Sequence, residues 1–560
     1  MAIAKRVQLK KWIRYLLLFS LVFFVFFLVF INRFIEPILR DRLNTFIVQG
    51  SDSLYNYKLE KLKANFFGGN VEVENLHIRV DSNQYFKLLR LDALPSLTMQ
   101  LDLLKGKMKG LGVFTLIFGK KINITEIVSQ EADIKLSRHI RKNIDSNSNI
   151  MPLWKAIQPK IKSINIDRIR LDGVKLLYKN ADTSESIKLQ FDRCEGIFQN
   201  VRIDSAASVD TSRLAFAKDA SMQFYDLKFR TPDSSYKMKA ELINYSSVNR
   251  TLQIQDFKLQ PTLEGDDFFK YASVQKNRFV LIFEKAKFTN LRLDRFIHNN
   301  IIDADSVIIE QPELDIANDK TLPPGFKSKI GNYPHEKLLR AESTIMINGI
   351  KIINAKICYT ERSEKTGRTA KINIDNMNAI FSNVTNNAVL IRSNPKCVAT
   401  INARILNTSP IQAKMVFYLD SAEGEFDMQG QIGNANAAQL NPISEPLANI
   451  QISALKIQSL GFQMHGDDFS SKGNVQMRYN DLAIIFKKTD KETGAIKTKK
   501  FLTKIINKFT IYPSNPSQGV ERVARDVQYA RVSSTSFFGV VWKTIFFGMQ
   551  NIMFKTGRYQ

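Results

Sequence analysis

The sequence predicts a mainly β protein. The expected form is a long twisted antiparallel sheet curled into an apolar groove, with one N-terminal transmembrane helix and short C-terminal amphipathic helices. Three observations predict it. A short pattern, apolar-x-apolar-x-x-apolar-x-apolar, recurs along most of the chain; an uncharged apolar run, Tyr15 to Ile31, follows a basic N-terminus; and a wide apolar helical face occupies Ser536 to Phe554.

The pattern appears as Val71, Val73, Leu76, Ile78 and as Met222, Phe224, Leu227, Phe229. It returns as Leu252, Ile254, Phe257, Leu259, as Ala286, Phe288, Leu291, Leu293, as Val307, Ile309, Pro312, Leu314 and as Leu455, Ile457, Leu460, Phe462. Alternation at period two signals a strand, because successive side chains leave a strand on opposite faces. The two-residue interruption shifts the phase by one. A bend, a bulge or a new strand is therefore needed to keep one apolar face continuous. An ordinary series of β-sandwich strands uses the same alternation and stays open as a reading.

A longer repeat contains the pattern. INIDRIRLDGVKLLY, from Ile164, matches IMINGIKIINAKICY, from Ile345: Ile164, Ile166, Ile169, Leu171, Lys175, Leu176 and Tyr178 face Ile345, Ile347, Ile350, Ile352, Lys356, Ile357 and Tyr359. The similarity resumes at Leu189 to Val201 and Ile372 to Val384. A repeated unit of this size implies a repetitive architecture.

In chain order, residues 1–14 form a basic cytoplasmic segment with Lys5, Arg6, Lys10, Lys11 and Arg14. Residues 15–35 are long enough to cross a bilayer of roughly 30 Å. No small-residue cleavage site follows, so an uncleaved signal anchor is expected, with the N-terminus inside and the remainder outside the cytoplasm. Within 36–56, Ile38, Leu39, Leu43, Phe46 and Ile47 form one helical stripe, which either lies on the membrane or caps the end of a sheet. Residues 57–320 read as a first β half and 321–490 as a second. Proline-bearing lead-ins, Met151 to Pro159 and Leu322 to Leu339, precede the two full repeats. Roughly 430 strand-rich residues at about 13 per strand and turn suggest on the order of 33 strands, spaced about 4.8 Å apart.

Residues 491–560 read as an amphipathic helical tail. Val520, Val523, Ala524 and Val527 are spaced for one helical face, while Phe501 to Tyr512 fits helix or strand. In Ser536 to Phe554, Ser536, Lys543 and Gln550 make a narrow polar stripe beside Phe537, Phe538, Val541, Trp542, Phe546 and Phe547. That helix either lies in a membrane interface or covers the open end of an apolar sheet.

Net charge is +26. Lys and Arg are scattered, usually one per strand on the polar face, which describes a solvated surface rather than a nucleic-acid interface. Cys194, Cys358 and Cys397 are too few for a disulfide framework and read as small buried apolar residues. The five histidines (His77, His139, His298, His335 and His465) are far apart, and no catalytic, metal or cofactor signature is present in the sequence. The chain reads as a non-enzyme with no cofactor. Its chief chemical resource is apolar area: Ile164, Ile166, Ile169, Leu171, Leu176, Ile345, Ile347, Ile350, Ile352, Ile357, Leu455, Ile457, Leu460 and Phe462 are the candidate groove lining. Such a face must be covered by a second layer or by a ligand, since each wet Å² costs about 25 cal/mol.

With its anchor and the short helix after it, its first strand pair VEVENLHIRV, its repeats and the block ANIQISALKIQSLGFQMHGDDFSSKGNVQMRYNDLAI, the chain resembles the AsmA-like family of the repeating-β-groove, bridge-like lipid transfer proteins. The tail after Lys487 departs from the better-known members. The resemblance implies a trough anchored in the inner membrane, facing the periplasm and carrying phospholipid acyl chains passively toward the outer membrane, or serving outer-membrane biogenesis. The implied partners are membrane lipids and an outer-membrane or envelope protein. The alternative is an anchored assembly factor with a closed β fold and no lipid ligand.

Overall fold

Most of the alternating apolar segments become strands with the interruption held inside them, but the interruption at Gln311–Pro312 divides two strands and the segment Ala286 to Leu293 leaves its strand after Thr289 and enters a helix at Leu293. The computed structural model describes residues 20, 36–41, 43–45, 47–65, 68–95, 97–112, 121–139, 162–180, 188–210, 212–214, 216–231, 233–325, 328–489 and 496–555. The expected membrane span and the first lead-in, 151–159, lie outside them, Ser20 apart. Among the described residues no helix is long and apolar enough to cross a membrane. Packing divides the chain into residues 1–232 with 244–248, and residues 233–243 with 249–560.

The first unit holds β1 (Tyr55–Asn65), β2 (Asn70–Val80), β3 (Leu97–Lys109), β4 (Lys121–Arg138), β5 (Ser163–Asn180), β6 (Lys188–Ile203) and β7 (Asp219–Arg230), with helix α1 (Ser82–Arg90) between β2 and β3. Each pairs with the next; all ladders are antiparallel except β4–β5, which is parallel. β8 (Tyr236–Ser246) crosses the division between units.

The second unit holds β9 (Thr251–Pro261), β10 (Asn277–Thr289), β11 (Ile301–Glu310), β12 (Glu313–Asp319), β13 (Thr344–Arg362), β14 (Thr369–Thr385), β15 (Lys396–Ile405), β16 (Ser409–Tyr418) and β17 (Phe426–Ile432). It continues with β18 (Ala435–Asn436), β19 (Ile450–Gly466), β20 (Ser470–Thr489), β21 (Ile496–Thr498) and β22 (Val523–Ala530). Its helices are α2 (Asp267–Lys270), α3 (Leu293–Asn299), α4 (Pro334–Leu339), α5 (Ala388–Ser393), α6 (Ala437–Ala448), α7 (Lys500–Ile505) with a π turn at Ile506–Thr510, and α8 (Phe537–Met553).

The uniformly antiparallel sheet expected from the sequence is corrected at β4–β5, β11–β13 and β12–β13, which are parallel. A parallel pair needs a crossover of a dozen or more residues, and the lead-ins before the two full repeats lie in those crossovers. The sequence repeat is thus a topological repeat: β5 and β13 each take a parallel partner on one side and an antiparallel hairpin partner on the other.

The phase problem is solved by left-handed residues. At the second interrupting position, Asn75, Gly173, Asp226, Asp256 and Asn354 have φ of 53°, 66°, 54°, 49° and 53°. Gly, Asn and Asp enter this region most readily. Register shifts by one between Leu171 and Val174 and between Ile352 and Ala355, whereas the ladders that contain Asn75, Asp226 and Asp256 keep register across them. The irregularity is therefore matched on neighbouring strands, the original register is restored at Leu176 and Ile357, and the next apolar pair returns to the same face. Bulging also keeps long strands whole: β5, β13 and β20 run 18, 19 and 20 residues. The structure accordingly has 22 strands among the described residues, fewer than the strand count expected from a shorter repeat.

The tail is not wholly helical. Residues 523–530 form β22 against β20, with Ala524, Val527 and Tyr529 buried and Asp526 bulged at φ 53°. The three-residue step from Ala524 to Val527 is that bulge, and it imitates a helical period.

Candidate functional site: an apolar sheet face and its cover

Register lines the apolar residues into rows across the strands. In the first unit one row runs Ile78, Leu101, Ile134, Leu176, Phe191, and another runs Val71, Met108, Ile127, Ile169, Phe198, Ala220. In the second unit the clearest row is Leu259, Leu281, Leu314, Ile357, Ile374, Ile405. Beside it run Ile254, Ala286, Ile309, Ile352, Ala379, Ile401 and Leu252, Phe288, Val307, Ile350, Phe381, Ala399. Phe257 and Phe283 stack between the first and second of these rows, with ring centres 4.6 Å apart. The opposite face carries charge, in cross-strand pairs such as Lys356–Glu313 at 2.8 Å and Lys61–Glu74 at 3.0 Å.

Burial separates the rows into two kinds. All six members of the Leu259 row are only half-buried. Of the ten candidate lining residues on β5 and β13, Ile166 and Ile347 are buried; Ile164, Ile169, Leu171, Leu176, Ile345, Ile350, Ile352 and Ile357 are half-buried. Ile164, Ile166 and Ile169 belong to one cluster in the first unit, and Ile345, Ile347 and Ile350 to another in the second.

Leu455, Ile457, Leu460 and Phe462 differ. They are buried in the largest core cluster together with Phe537, Val540, Val541, Ile545 and Ile552 of α8. The expectation that these four line an open groove is corrected: protein covers them. α8 lies close enough to β20 that a Cβ on Gly548 would meet Val475 Cγ2 at 2.3 Å. In the first unit a smaller cover is provided by the helical residues after position 36. Leu39 is buried, Leu43 packs beside it, and the Tyr57 hydroxyl donates to the Arg40 carbonyl at 3.1 Å. Two residues of the expected stripe, Leu39 and Leu43, thus pack on the sheet, while Ile38 is exposed and Phe46 lies outside the described residues.

α8 splits its apolar surface in two. Phe537 and Val541 face the core and Phe547 packs against it, whereas Phe538, Trp542 and Phe546 remain exposed at 65%, 55% and 38%. Trp542 and Phe546 stack with ring centres 5.8 Å apart. The expected polar stripe is partly spent on local bonds. Ser536 caps the helix by accepting from Gly539 N, and Lys543 Nζ donates to the Tyr529 hydroxyl at 3.1 Å. Thr544, buried, donates to the Val540 carbonyl at 2.9 Å.

A polar clamp holds the second lead-in against this covered region. Gly331 N donates to both Asp468 carboxylate oxygens at 2.9 Å, and Arg531 forms a fully buried ion pair with Asp468. Arg531 also donates to the Lys329 carbonyl at 2.6 Å and lies over the Tyr333 ring. The Tyr333 hydroxyl donates to the Asp467 carbonyl at 2.8 Å. The loop between β19 and β20 thereby anchors residues that lie more than a hundred positions earlier in the chain, Gly331 and Tyr333.

The histidines stay dispersed. His77 pairs with Asp102 and His465 with Asp427, His139 contacts the Thr98 hydroxyl at 3.1 Å, and His335 is buried against the Phe417 and Tyr333 rings. Cys194 and Cys397 are buried and Cys358 is half-buried; burial pushes the first thiol up to about 12 and the second to about 11. Among the described residues no group of His, Cys, Asp or Glu is placed to hold a metal ion. No family model matches the sequence, and no curated protein matches it either.

Proposed function

We propose that this protein is a membrane-anchored lipid-binding and transfer protein of the AsmA-like, repeating-β-groove kind. The observation that carries the reading is the half-buried row Leu259, Leu281, Leu314, Ile357, Ile374, Ile405, an apolar surface left partly wet across six strands. Six strands at about 4.8 Å spacing extend about 24 Å, a length that accommodates an extended acyl chain. Each CH₂ moved from water onto that surface gains up to about 0.8 kcal/mol. The charged headgroup stays in water, where its solvation is not lost. Parallel rows at successive strand positions offer equivalent sites, so a lipid moves between them without covalent chemistry. The uncharged run Tyr15 to Ile31, with the basic block before it, supports inner-membrane anchoring with the sheet in the periplasm and phospholipid moving toward the outer membrane.

Site-specific photo-crosslinking tests this on the full chain in its membrane. A photoreactive residue at Leu281, Leu314 or Ile357 should form phospholipid adducts, while the outward-facing neighbours Glu313 and Lys356 should not. Adducts absent from all three inward positions, or equal on both faces, would refute the reading. The second reading, an anchored assembly factor with a closed fold, is favoured by the covered core around Leu455 to Phe462. It would gain from inward positions that crosslink only within the chain.

A further inference from the structure

The segment Lys500–Thr510, α7 with its π turn, is held to the sheet along one side only. Asn507 Oδ1 accepts from Ile484 N at 3.0 Å and Asn507 Nδ2 donates to the Ile484 carbonyl at 2.7 Å. The Thr503 hydroxyl accepts from Phe486 N at 3.0 Å, and Ile506 packs on the core. These residues fix the inner side. The outer side presents Phe501 and Phe509, 79% and 63% exposed, with Ile505 and Leu502 between them. Lys500, Lys504 and Lys508 recur four residues apart beside the series Phe501, Ile505, Phe509 and are exposed as well. Lys497 and Lys499 precede them, and the sequence from Ile496 to Val520 contains no Asp or Glu. Among the described residues, no carboxylate forms an ion pair with Lys500, Lys504 or Lys508.

Large aromatics held out in water are unfavourable unless something covers them. A stripe of apolar side chains next to a stripe of lysines matches a bilayer interface, with rings at the headgroup boundary and ammonium groups on lipid phosphates. A second copy of the same surface is a poor cover, because it would bring like charges together. We infer that Lys500–Thr510 is a foot that docks on an anionic phospholipid bilayer. α8 extends the docking surface. Tyr512 N donates to the Met553 carbonyl at 2.7 Å and Lys555 N to the Thr510 carbonyl at 2.8 Å, tying the foot to the helix that exposes Phe538, Trp542 and Phe546. Trp is the residue most at home at that depth. The foot goes beyond the transfer reading and does not rest on it: a protein that carried no lipid would dock equally well.

The test places the full chain in neutral phosphatidylcholine nanodiscs and measures capture of separate vesicles. Vesicles of phosphatidylcholine with about a third phosphatidylglycerol should be captured at least tenfold more tightly than pure phosphatidylcholine, and less tightly at high salt. Lys500→Gln, Lys504→Gln and Lys508→Gln together should weaken capture on the order of 100-fold, about fivefold for each lysine at an anionic surface. The corresponding triple Arg variant should retain capture. Phe501→Ser with Phe509→Ser, at positions too exposed to disturb the fold, should also lose it. Equal capture of neutral and anionic vesicles, no capture of either, or undiminished capture by the Gln or Ser variants would overturn the proposal. Crosslinking of phospholipid at Ile357 in the same preparations reports on the trough separately, so failure of one reading is distinguishable from failure of the other.

Discussion

His335 makes the stability of the second unit depend on pH in a direction that follows from its surroundings. The residue opens α4, is 3% exposed, and lies between the Phe417 ring at 4.9 Å and the Tyr333 ring at 6.1 Å. Neither ring nitrogen has a partner at hydrogen-bonding geometry. Burial lowers its pKa from 6.5 to about 4, against weaker opposing effects of the Gly424 backbone and the Asp468 carboxylate. The folded state therefore binds fewer protons than the unfolded chain between those values. The contribution is present in full above pH 6.5 and is lost as pH falls toward 4. Taking 6.5 for the unfolded chain and about 4 for the folded one, the loss reaches about 2.5 kcal/mol at pH 4.5. Glu336, next in sequence, acts oppositely: burial raises its pKa, so its folded form gains relative stability in acid.

A comparison of the parent with His335→Phe isolates the histidine from Glu336 and from every other carboxylate. The substitution preserves the ring packing and removes two unsatisfied nitrogens, so at pH 7.5 the variant should be as stable as the parent or slightly more so. Urea unfolding followed by circular dichroism at pH 7.5, 6.0, 5.0 and 4.5 should show the two diverging, the variant ahead by about 2.5 kcal/mol at the lowest pH. Parallel curves across that range would refute the argument, because they would mean that the buried ring protonates as easily in the folded state as in water.

Three further outcomes follow from the packing. Removing one partner of the buried Arg531–Asp468 pair, as in Asp468→Ala, should cost about 3–5 kcal/mol, whereas Arg531→Met with Asp468→Leu should recover much of it; denaturant midpoints of the three proteins decide this. At the β13 bulge, Asn354→Val should cost about 1–3 kcal/mol because φ is 53°, while Asn354→Gly should be nearly neutral in the same thermal melts. Gly548→Ala should cost about 1–3 kcal/mol by driving a methyl into Val475, and limited proteolysis should then cut near α8 before any other site.

Much of the strand content was readable because alternation and its interruption are local. The residues of Val71 to Ile78 and Leu252 to Leu259 need no distant partner to declare a strand, and an Asn or Asp at the second interrupting position marks the bulge. Pairing direction was less readable. The parallel ladder of β12 with β13 depends on the Leu322 to Leu339 lead-in acting as a crossover, and nothing in the strand itself records that. β22 has the sequence spacing of a helical face because a bulge between Ala524 and Val527 produces the same three-residue step as a helix turn.

The candidate site shows the same limit more sharply. Leu281 and Leu460 both sit on strands built from alternating apolar residues, and nothing nearby in sequence separates them. One is half-buried and the other is 4% exposed. The difference comes from covering helices: α8, about eighty residues beyond Leu460, supplies Phe537, Val540, Val541, Ile545 and Ile552 to the same core, and α6 packs on β19 itself with Ala437 and Leu440 against that core. The same reasoning bears on the rows of β9 to β15. Their strands are amphipathic in the same sense, yet the helices between them are short: α2, α3, α4 and α5 span 4, 7, 6 and 6 residues. Such helices have too little apolar surface to roof rows six strands wide. Whether an apolar face becomes core or binding surface is therefore decided by the supply of covering segments rather than by the face. In this chain that supply is concentrated in α6 and the tail, which is why the Leu259 row, and not the Leu455 block, is the place to look for an acyl chain.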